Sequence, residues 1–489
     1  MALLPIPSPQ AQALSQQLSD LIQQKIKNAG GWISFADFMH MALYTPGLGY
    51  YSGGATKFGL AGDFVTAPEI SPLFAKTLAL QAAQILAATQ GNILELGAGT
   101  GKLAADLLLE LQQLKQLPER YFILEVSDHL RQIQRETLQK KLPKGLFQRV
   151  VWLDALPPSP QPSPTGGEGE VTQQARDGLS TPPPPRTGGE GEVLANFDIE
   201  TPYPLVRGGW GGCHAAQAVR GRTPSPRVVE GWGDCTIALA GQQATPSPPV
   251  GEGWGEGGGF KGLILANEVL DAIPVHLIVN TAIGLQERGV SFQKKLGKKF
   301  DFVWQDKPLA KGKLHDEVST YSLPNDYLTE FCPAAAGLMN SLADCLKQGA
   351  ILLLDYGFGA AEYYHPQRDA GTLMCHYQHY AHDNPLVNVG LQDITAHVNF
   401  TQIAHVAQAH GIRLAGYVNQ AQFLINCGIL DVLSQTSPTD MSTYAPLAAA
   451  AQKLLSPAEM GELFKVIGFS KDFDEPLIGF KDGDKSHTL

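Results

Sequence analysis

Apolar residues in the first ninety positions recur every three to four residues, which is the spacing of amphipathic helices. Residues 11–30 follow this pattern, and Gly30 with Gly31 stops the predicted helix. A second helix is predicted before Pro46, and a third over residues 72–89 with Pro72 in its first turn. The segment between the second and third helices is rich in glycine and small residues, so we expect it to form a loop.

From Asn92 onward the pattern changes, and short apolar runs alternate with amphipathic helices. The first three runs, residues 92–96, 120–127 and 149–156, are predicted strands, and the segments between them are predicted helices. Strands that alternate with helices indicate a parallel sheet with helices on both faces. The predicted fold class is therefore α/β, with a Rossmann-like sheet.

The same alternation resumes after residue 260 and continues to the end of the chain. Residues 261–279 are predicted to form a strand, a loop and then a strand or helix. Residues 288–306 look like a β-hairpin that turns at Leu296 and Gly297. Residues 337–359 are predicted to form a helix that ends at Gly349 as its C-cap, followed by a strand. A further helix and two strands complete the predicted sheet.

The stretch from Pro157 to Phe260 interrupts the pattern and differs in composition. It contains 21 of the 52 glycines and 16 of the 34 prolines in the 489-residue chain. Related sequences recur within it at unequal intervals, at residues 158–170, 181–192 and 245–258. Because this composition is typical of disordered, low-complexity segments, we expect a disordered insertion in a loop, where extra length costs little closure entropy. A functional linker or partner-binding arm is the alternative.

Charge and cysteine content narrow the function classes. The chain has 36 Lys and Arg against 47 Asp and Glu, a formal net charge of −11, which argues against a dedicated nucleic-acid-binding protein. It has no run of 18 apolar residues and no visible targeting signal, so no membrane span is expected. The six cysteines are far apart and show no metal-binding or disulfide spacing. These features favour a soluble, cytoplasmic protein in a reducing compartment.

Three glycines, Gly97, Gly99 and Gly101, occupy the turn between the first predicted strand and its helix. Glycine at such a turn lets the backbone approach a ligand that a Cβ atom would obstruct. A P-loop fits poorly, because the glycine spacing is too short and Leu103 follows Lys102 where Ser or Thr is needed. The dinucleotide motif G-x-G-x-x-G also has a different spacing.

The glycine spacing fits the E-x-G-x-G-x-G loop typical of class I methyltransferases that bind S-adenosylmethionine (SAM). Glu95 occupies the acidic position at the end of the strand. The second strand ends at Glu125, where an acid can accept hydrogen bonds from both ribose hydroxyls, as in dinucleotide-binding folds. A glycine-rich turn with two acids and no ligand is the alternative.

Polar residues also follow two later strands. Asn267, Glu268 and Asp271 come after the apolar run that begins at residue 261, and Asp355 and Tyr356 end another. In an open α/β sheet, ligands bind outside the carboxyl ends of the strands. These residues are therefore candidates for a site, although Asn267 capping a helix with acids in its first turn is a simpler interpretation.

A histidine-rich segment lies between residues 376 and 397. His376 and His379 are three residues apart, but neither a cysteine nor an acid completes a zinc pattern at close spacing, so no metal site is predicted. Structural or substrate-facing roles are favoured. Asp393 and His397 could equally be a cap and a core histidine.

Six segments together resemble the MidA family of class I SAM-dependent methyltransferases. They are ISFADFMHMALYTPGLGYY, GDFVTAPEISPLF, ELGAGTG, ANEVLDAIPV, LLLDYG and LQDITAHVNF. The resemblance covers about residues 31–156 and 260–480, and it implies SAM as the cofactor. The family's mitochondrial members are complex I assembly factors that methylate an arginine of a subunit of that complex. It therefore implies a protein substrate, with a respiratory complex I subunit as the candidate, and a mitochondrial matrix location for eukaryotic relatives.

The resemblance also assigns cofactor residues. Gly97, Gly99 and Gly101 would form the SAM loop with Glu95, Glu125 would hold the ribose, and Asp154 would approach the adenine. The family's N-terminal signature, which would cover the cofactor and the substrate, matches Gly62, Asp63, Thr66, Pro68, Glu69 and Ser71.

Two further motifs carry the expected catalytic residues. Asn267, Glu268 and Asp271 match one of them, and Asp393, Thr395 and His397 match the other. A pair of carboxylates could orient a guanidinium group and accept its proton. The hypothesis is that Glu268 and Asp271 do this, with Glu69 or His397 as second choices. A SAM-binding assembly chaperone with little turnover and a small-molecule O- or N-methyltransferase remain alternatives, and the oligomeric state is unknown.

These inferences divide the chain into five parts. They are an N-terminal helical lid (1–80), the first half of the SAM-binding domain (81–156), the insertion (157–260), a β-hairpin addition on the substrate side (283–330) and the second half of the methyltransferase domain (261–282 and 331–489).

Overall fold

The structure, a computed structural model, describes residues 4–53, 66–156, 259–295 and 298–489. The expectations for Gly62, Asp63, Leu296 and Gly297, and for the insertion between residues 157 and 258, lie outside the described residues. Among the described helices, none is long and apolar enough to cross a membrane.

Two helices and a short strand precede the central sheet: α1 (Pro9–Asn28), β1 (Ile33–Ser34) and α2 (Phe35–Tyr44). Helix α1 begins after Ser8, whose hydroxyl accepts a hydrogen bond from the Ala11 N–H at 3.2 Å. It buries Leu18, Ile22 and Ile26, which lie four residues apart on one face. The predicted helix is confirmed, with bounds two residues earlier than expected.

The next part of the chain alternates between helices and strands, as predicted. Its elements are α3 (Ala67–Ile70), α4 (Pro72–Thr89), β2 (Asn92–Leu96), α5 (Lys102–Gln113), β3 (Tyr121–Leu124), α6 (Asp128–Lys141), α7 (Lys144–Phe147) and β4 (Val150–Leu153).

Strands are more frequent in the part that follows the insertion. Its elements are β5 (Phe260–Asn267), β6 (His276–Thr281), β7 (Gly284–Lys295), β8 (Lys298–Pro308), α8 (Lys313–Val318), β9 (Tyr327–Phe331), α9 (Pro333–Cys345), β10 (Leu346–Phe358), α10 (Ala360–Tyr363), β11 (Met374–Tyr377), β12 (Tyr380–His382), β13 (Asp393–Thr395), β14 (Val398–Asn399), α11 (Phe400–Ala409), β15 (Arg413–Asn419), α12 (Gln420–Asn426), α13 (Ile429–Ser434), α14 (Met441–Leu455) and β16 (Phe464–Lys471).

The main sheet has the strand order β15-β16-β10-β5-β2-β3-β4, and β14 pairs with the end of β10. Strands β4, β3, β2, β5 and β10 are parallel, whereas β16 runs antiparallel to both of its neighbours. The chain order reverses at β2, with β3 and β4 on one side and β5 and β10 on the other. Such a reversal opens a crevice at the carboxyl ends of the strands, where ligands bind in open α/β sheets.

Helices cover both faces of this sheet. Leu263 and Leu265 of β5 face a core formed with α4, α5, α12, α13 and α14, whereas Ile264 and Ala266 face a core formed with α9 and α11. Because both faces are buried, the middle of β5, residues 263–266, is apolar at four successive positions rather than at every second one. The predicted sheet with helices on both faces is confirmed.

A second, antiparallel sheet joins β1, β7, β6 and β9, with β8 paired to β7. Helices α1 and α2 pack against it through a core that includes Phe38, Met39 and Val290. A third small sheet holds β11, β12 and β13. The predicted hairpin is therefore one part of a five-stranded sheet.

The predicted role of Gly349 is wrong. Helix α9 ends at Cys345, and Gly349 lies within β10 with φ of +127°. A Cβ atom there would come within 2.0 Å of the Gly262 carbonyl oxygen on β5. The glycine permits the close approach of two strands, which its position after a helical pattern could not reveal.

Candidate functional site

Strands β2, β3, β5 and β10 end at the same edge of the main sheet, because they are parallel and adjacent. The glycine loop follows β2, Glu125 follows β3, the turn 267–271 begins at the last residue of β5, and Asp355 and Tyr356 lie in the last part of β10. The sequence-predicted residues of four separate segments therefore meet at one crevice.

The glycine loop has a backbone that favours glycine at every second position. Gly97, Gly99 and Gly101 have φ values of +60°, +52° and +80°. A Cβ atom on Gly97 would lie 3.0 Å from Cγ2 of Val269, in the turn after β5. The loop thus lies directly against the turn that carries Glu268 and Asp271.

Glu125 is 5% exposed and holds the loop through a network. Its Oε1 accepts a hydrogen bond from the Ser127 N–H at 2.9 Å, and its Oε2 accepts one from Gln134 Nε2 at 2.9 Å. Gln134 also donates to the Gly99 carbonyl at 3.1 Å and accepts from Trp152 Nε1 at 2.9 Å. Burial raises the pKa of Glu125 above its usual value, and the hydrogen bonds from Ser127 and Gln134 limit the rise.

Sequence reasoning missed Gln134. The signal was present, because Gln134 lies four residues from both Leu130 and Leu138 and all three are buried on α6. A polar residue within a buried row of a helix needs hydrogen-bond partners. Here those partners belong to the crevice.

Glu95 is 2% exposed and accepts a hydrogen bond from the Tyr121 hydroxyl at 2.8 Å. Burial raises the pKa of Glu95 to about 7, against the lowering effect of Tyr121. Its hydrogen-bond partner, Tyr121, belongs to the hydrophobic core. Glu95 is thus more enclosed than Glu125.

Asp154 lies at the rim of the crevice, with a side chain that is 68% exposed. It forms an ion pair with Arg131 Nη1 at 2.5 Å. Arg131 also donates to the carbonyls of Glu125 and Leu153, both at 2.7 Å. Arg131 therefore links the ends of β3 and β4, and its ion pair with Asp154 lies on the solvent-exposed side.

The described part of the N-terminal signature contacts the glycine loop. Thr66 and Pro68 are buried, and the Thr100 hydroxyl donates to Glu69 Oε1 at 2.5 Å. Lys102 Nζ donates to the Pro68 carbonyl at 2.5 Å. Helix α3 is thus attached to the start of α5, beside the crevice.

Glu268 has a strained backbone, with φ of +53°. Its N–H donates to the Leu354 carbonyl on β10 at 2.9 Å, and its Oε1 accepts from Asn267 Nδ2 at 3.1 Å. The backbone N–H of Ala67, on α3, also donates to its carboxyl group. Burial, and then the charge of Asp271, raise the pKa of Glu268 to about 8.

Asp355 holds the turn that follows Glu268. Its Oδ2 accepts hydrogen bonds from three successive backbone N–H groups, those of Val269, Leu270 and Asp271, at 3.1, 2.9 and 3.3 Å. No helix follows Asn267 within the described residues 259–295, so the interpretation of Asn267 as a helix cap is wrong. The backbone N–H groups of this turn are satisfied instead by Asp355 on the neighbouring strand. A pattern within one segment cannot reveal such a partner.

Asp271 is 6% exposed, and its two carboxyl oxygens differ. Oδ2 accepts a hydrogen bond from the Tyr356 hydroxyl at 2.6 Å, whereas Oδ1 is buried and has no hydrogen-bond partner among the described residues. Burial raises the pKa of Asp271 to about 6, and the bond from Tyr356 limits the rise. A buried oxygen without a partner costs free energy unless a ligand supplies a donor.

His397 packs between aromatic rings, with centroid distances of 5.1 Å to both Tyr356 and Phe358. Burial, and then the charge of Arg368, lower its pKa to about 4. The imidazole is therefore neutral at pH 7, and its contact with the acid turn runs through the Tyr356 ring. Within the described ranges, no group of three or more His, Cys, Asp or Glu residues could hold a metal ion.

Asp393 and Thr395 lie on β13, and both are 2% exposed. Asp393 Oδ1 accepts hydrogen bonds from the Tyr51 hydroxyl at 2.8 Å and from the Ile394 N–H at 3.0 Å. Just after β13, the Ala396 N–H donates to the backbone carbonyl of Asp271 at 2.9 Å, which places this strand beside the acid turn. The crevice therefore combines a glycine loop with several buried carboxyl groups, which suits a ligand with hydroxyl groups and positive charge.

Comparison with known proteins agrees with this geometry. Residues 77–166 and 249–418 match a family described as S-adenosyl-L-methionine-dependent methyltransferases. Two crystal structures of proteins from Burkholderia thailandensis cover 100% of this chain and of their own, at 39% identity with a TM-score of 0.76 and at 38% with 0.74. The first of them holds bound S-adenosyl-homocysteine.

Named relatives extend the similarity. The mitochondrial protein arginine methyltransferase NDUFAF7 of Danio rerio is 28% identical, over 89% of this chain and 83% of its own. The Homo sapiens protein of the same name is 26% identical, over 91% of this chain and 81% of its own. The chain thus has the class I methyltransferase fold, and S-adenosylmethionine is its cofactor.

Proposed function

Because the chain belongs to the family of S-adenosyl-L-methionine-dependent methyltransferases, we propose that it transfers the methyl group to an arginine side chain of a protein. SAM supplies a methyl group on a positively charged sulfur, which makes that methyl electrophilic. The relatives named as protein arginine methyltransferases support the choice of acceptor. The remaining support comes from the residues of the crevice.

We propose that the glycine loop and Glu125 hold the cofactor. The backbone of Gly97, Gly99 and Gly101 leaves room that a side chain would fill, and Glu125 lies at the end of the adjacent strand. Glu95, Thr66, Pro68 and Glu69 lie around the loop, whereas Asp154 lies at the rim. The roles of these residues in cofactor binding are part of the proposal, as is that of Asp63, which lies outside the described residues.

The observation that carries the choice of acceptor is the unpartnered Oδ1 of Asp271 beside Glu268. A guanidinium group remains protonated near neutral pH and presents a rigid fork of N–H donors. Two carboxyl groups at one edge can receive that fork and fix the nitrogen that reacts. The turn lies against Gly97, so the acceptor nitrogen would stand beside the cofactor.

The two carboxyl groups also have a chemical task. The guanidinium nitrogen forms a bond to the methyl carbon, the sulfur–carbon bond breaks with its electron pair left on sulfur, and one proton leaves the guanidinium. A carboxylate with a raised pKa is a better proton acceptor than an ordinary one. Asp271 and Glu268, with pKa values of about 6 and about 8, are suited to accept it, with Asn267 orienting Glu268. His397 is neutral and positions Tyr356.

The acceptor protein is proposed from the resemblance alone. A subunit of respiratory complex I is the first candidate, since the MidA family's mitochondrial members act on that complex. An exposed arginine in a mobile segment could enter the crevice most easily.

Incubation of the full chain with SAM labelled on its methyl group, together with candidate acceptor proteins, tests the proposal. We expect label in methylarginine after acid hydrolysis of the acceptor. Label in lysine or in a small molecule would contradict the arginine proposal. SAM binding without transfer to any acceptor would favour an assembly chaperone.

The rate should depend on pH because both carboxyl groups have raised pKa values. Below about pH 6 both are mainly protonated and cannot accept a proton, so kcat/KM should increase as the pH rises through about 6 and again towards about 8. The two steps belong to the pair, since the acids interact with each other and with Asp355. A pH–rate profile measured from 5 to 9 checks this expectation, and a flat profile would contradict it.

A further inference from the structure

Tyr51 connects two sides of the crevice. Its backbone carbonyl accepts a hydrogen bond from the Ser127 hydroxyl at 2.8 Å. The Ser127 N–H in turn donates to Glu125 Oε1 at 2.9 Å. On the other side, the Tyr51 hydroxyl donates to Asp393 Oδ1 at 2.8 Å. One residue of the N-terminal part thus contacts both the end of β3 and the acid on β13.

Several contacts hold Tyr51 in place. Its N–H donates to the Leu43 carbonyl at 2.9 Å, and its ring stacks on Tyr44 with a centroid distance of 5.6 Å and an angle of 27°. The Tyr44 hydroxyl donates to the Ala272 carbonyl at 2.9 Å, next to Asp271. Because Tyr51 is closely packed on Tyr44, a displacement at its backbone carbonyl would be transmitted to its hydroxyl rather than be absorbed locally.

Asp393 lies where such a shift would matter. It is 2% exposed, and it lies on β13, which leads directly to Ala396, whose N–H donates to the backbone carbonyl of Asp271 at 2.9 Å. A change in the orientation of Asp393 would therefore change the field that an incoming guanidinium group meets.

We propose that Tyr51 is a positioning residue that couples cofactor binding at Glu125 to the orientation of Asp393 on the acceptor side. The inference rests on the proposed function in taking Glu125 as the cofactor's acid. A cofactor held by Glu125 fixes the segment that carries Ser127, and Ser127 holds the Tyr51 carbonyl. The phenol then keeps Asp393 in the orientation that receives a cationic acceptor. Cofactor and acceptor consequently bind with positive cooperativity.

Hydrogen exchange of the full chain tests this coupling without any acceptor. With S-adenosyl-homocysteine as the probe, we expect amides of residues 391–396 in the wild type to exchange about five-fold more slowly when the probe is bound than when it is absent. Tyr51→Phe removes the hydroxyl and keeps the ring, so it should bind the probe equally well but lose this protection. Retention of the protection in Tyr51→Phe would overturn the proposal.

Ser127 provides a second variant in the same link. Ser127→Ala should lose the protection as Tyr51→Phe does, and the double variant should lose no more than either single variant. Ser127→Thr retains a hydroxyl, so it should keep the protection. Tyr380→Phe is the matched control, because Tyr380 is 45% exposed on the same small sheet and should behave as the wild type. Additive losses in the double variant would contradict a single link.

Turnover separates this inference from the proposed function. If the wild type methylates an arginine, Tyr51→Phe should raise KM for the acceptor about ten-fold and leave the affinity for S-adenosyl-homocysteine unchanged. An unchanged KM would overturn the coupling while arginine transfer stands. If the wild type methylates no arginine, the exchange experiment still decides whether Tyr51 links the two sides.

Discussion

Replacing Asp271 with Asn is expected to lower kcat by about 10²–10⁴-fold, because general acid–base groups contribute on this scale. The amide has the same shape and can still accept a hydrogen bond from Tyr356, but it presents no negative charge to a guanidinium group. The buried Oδ1, which lacks a partner, is the atom that the acceptor would use. Transfer of labelled methyl to the acceptor measures this loss.

The affinity for S-adenosyl-homocysteine should stay within about two-fold, since we assign Asp271 to the acceptor and not to the cofactor. Glu268→Gln should lower kcat in the same direction and leave one step in the pH profile instead of two. Asp306→Asn is the control, because Asp306 pairs with Arg288 on the second, antiparallel sheet rather than on the main sheet. Full transfer by both Asp271→Asn and Glu268→Gln would refute the roles proposed for these acids.

Replacing Gly97 with Ala should weaken S-adenosyl-homocysteine binding by about 10-fold to 100-fold. The residue has φ of +60°, and an L residue in this region costs about 1–2 kcal/mol. The new methyl group would also lie 3.0 Å from Val269, so either the loop or the turn after β5 must move. Isothermal titration with S-adenosyl-homocysteine measures the loss of affinity directly.

Alanine variants of two other glycines serve as controls that distinguish backbone strain from a direct effect on the crevice. Gly145→Ala on α7 meets no atom within 4 Å and has no positive φ, so it should not lower the melting temperature and should not change binding. Gly284→Ala has φ of +108° in open space on the antiparallel sheet, so it should lower the melting temperature but not the affinity. If Gly97→Ala bound the ligand as the wild type does, the glycine loop would not be the cofactor site.

The elements were predictable where the signal is local. The strands from Asn92 to Leu153 and the helices between them follow from apolar spacing, which depends only on neighbours along the chain. The acids at the strand ends were also predictable, because parallel strands bring their carboxyl ends to one edge. Gly349 was misassigned because its role depends on a strand nearly ninety residues earlier.

The hydrogen-bond partners within the crevice were not predictable from the spacing of residues along the chain. Asp355 holds the backbone of a turn more than eighty residues away, and Tyr51 bridges Ser127 and Asp393. The neutral state of His397 is likewise a result of its burial. Each of these properties requires two distant segments to be placed side by side.

The sequence by itself determined the α/β class, the glycine loop and the set of acids at the strand ends, since each depends on residue type and short-range spacing. Only the tertiary structure decided which of those acids have raised pKa values and which oxygen of Asp271 is without a partner. The reason is physical: burial and hydrogen bonding are set by packing between distant segments, and they determine the charge that each carboxyl group can present.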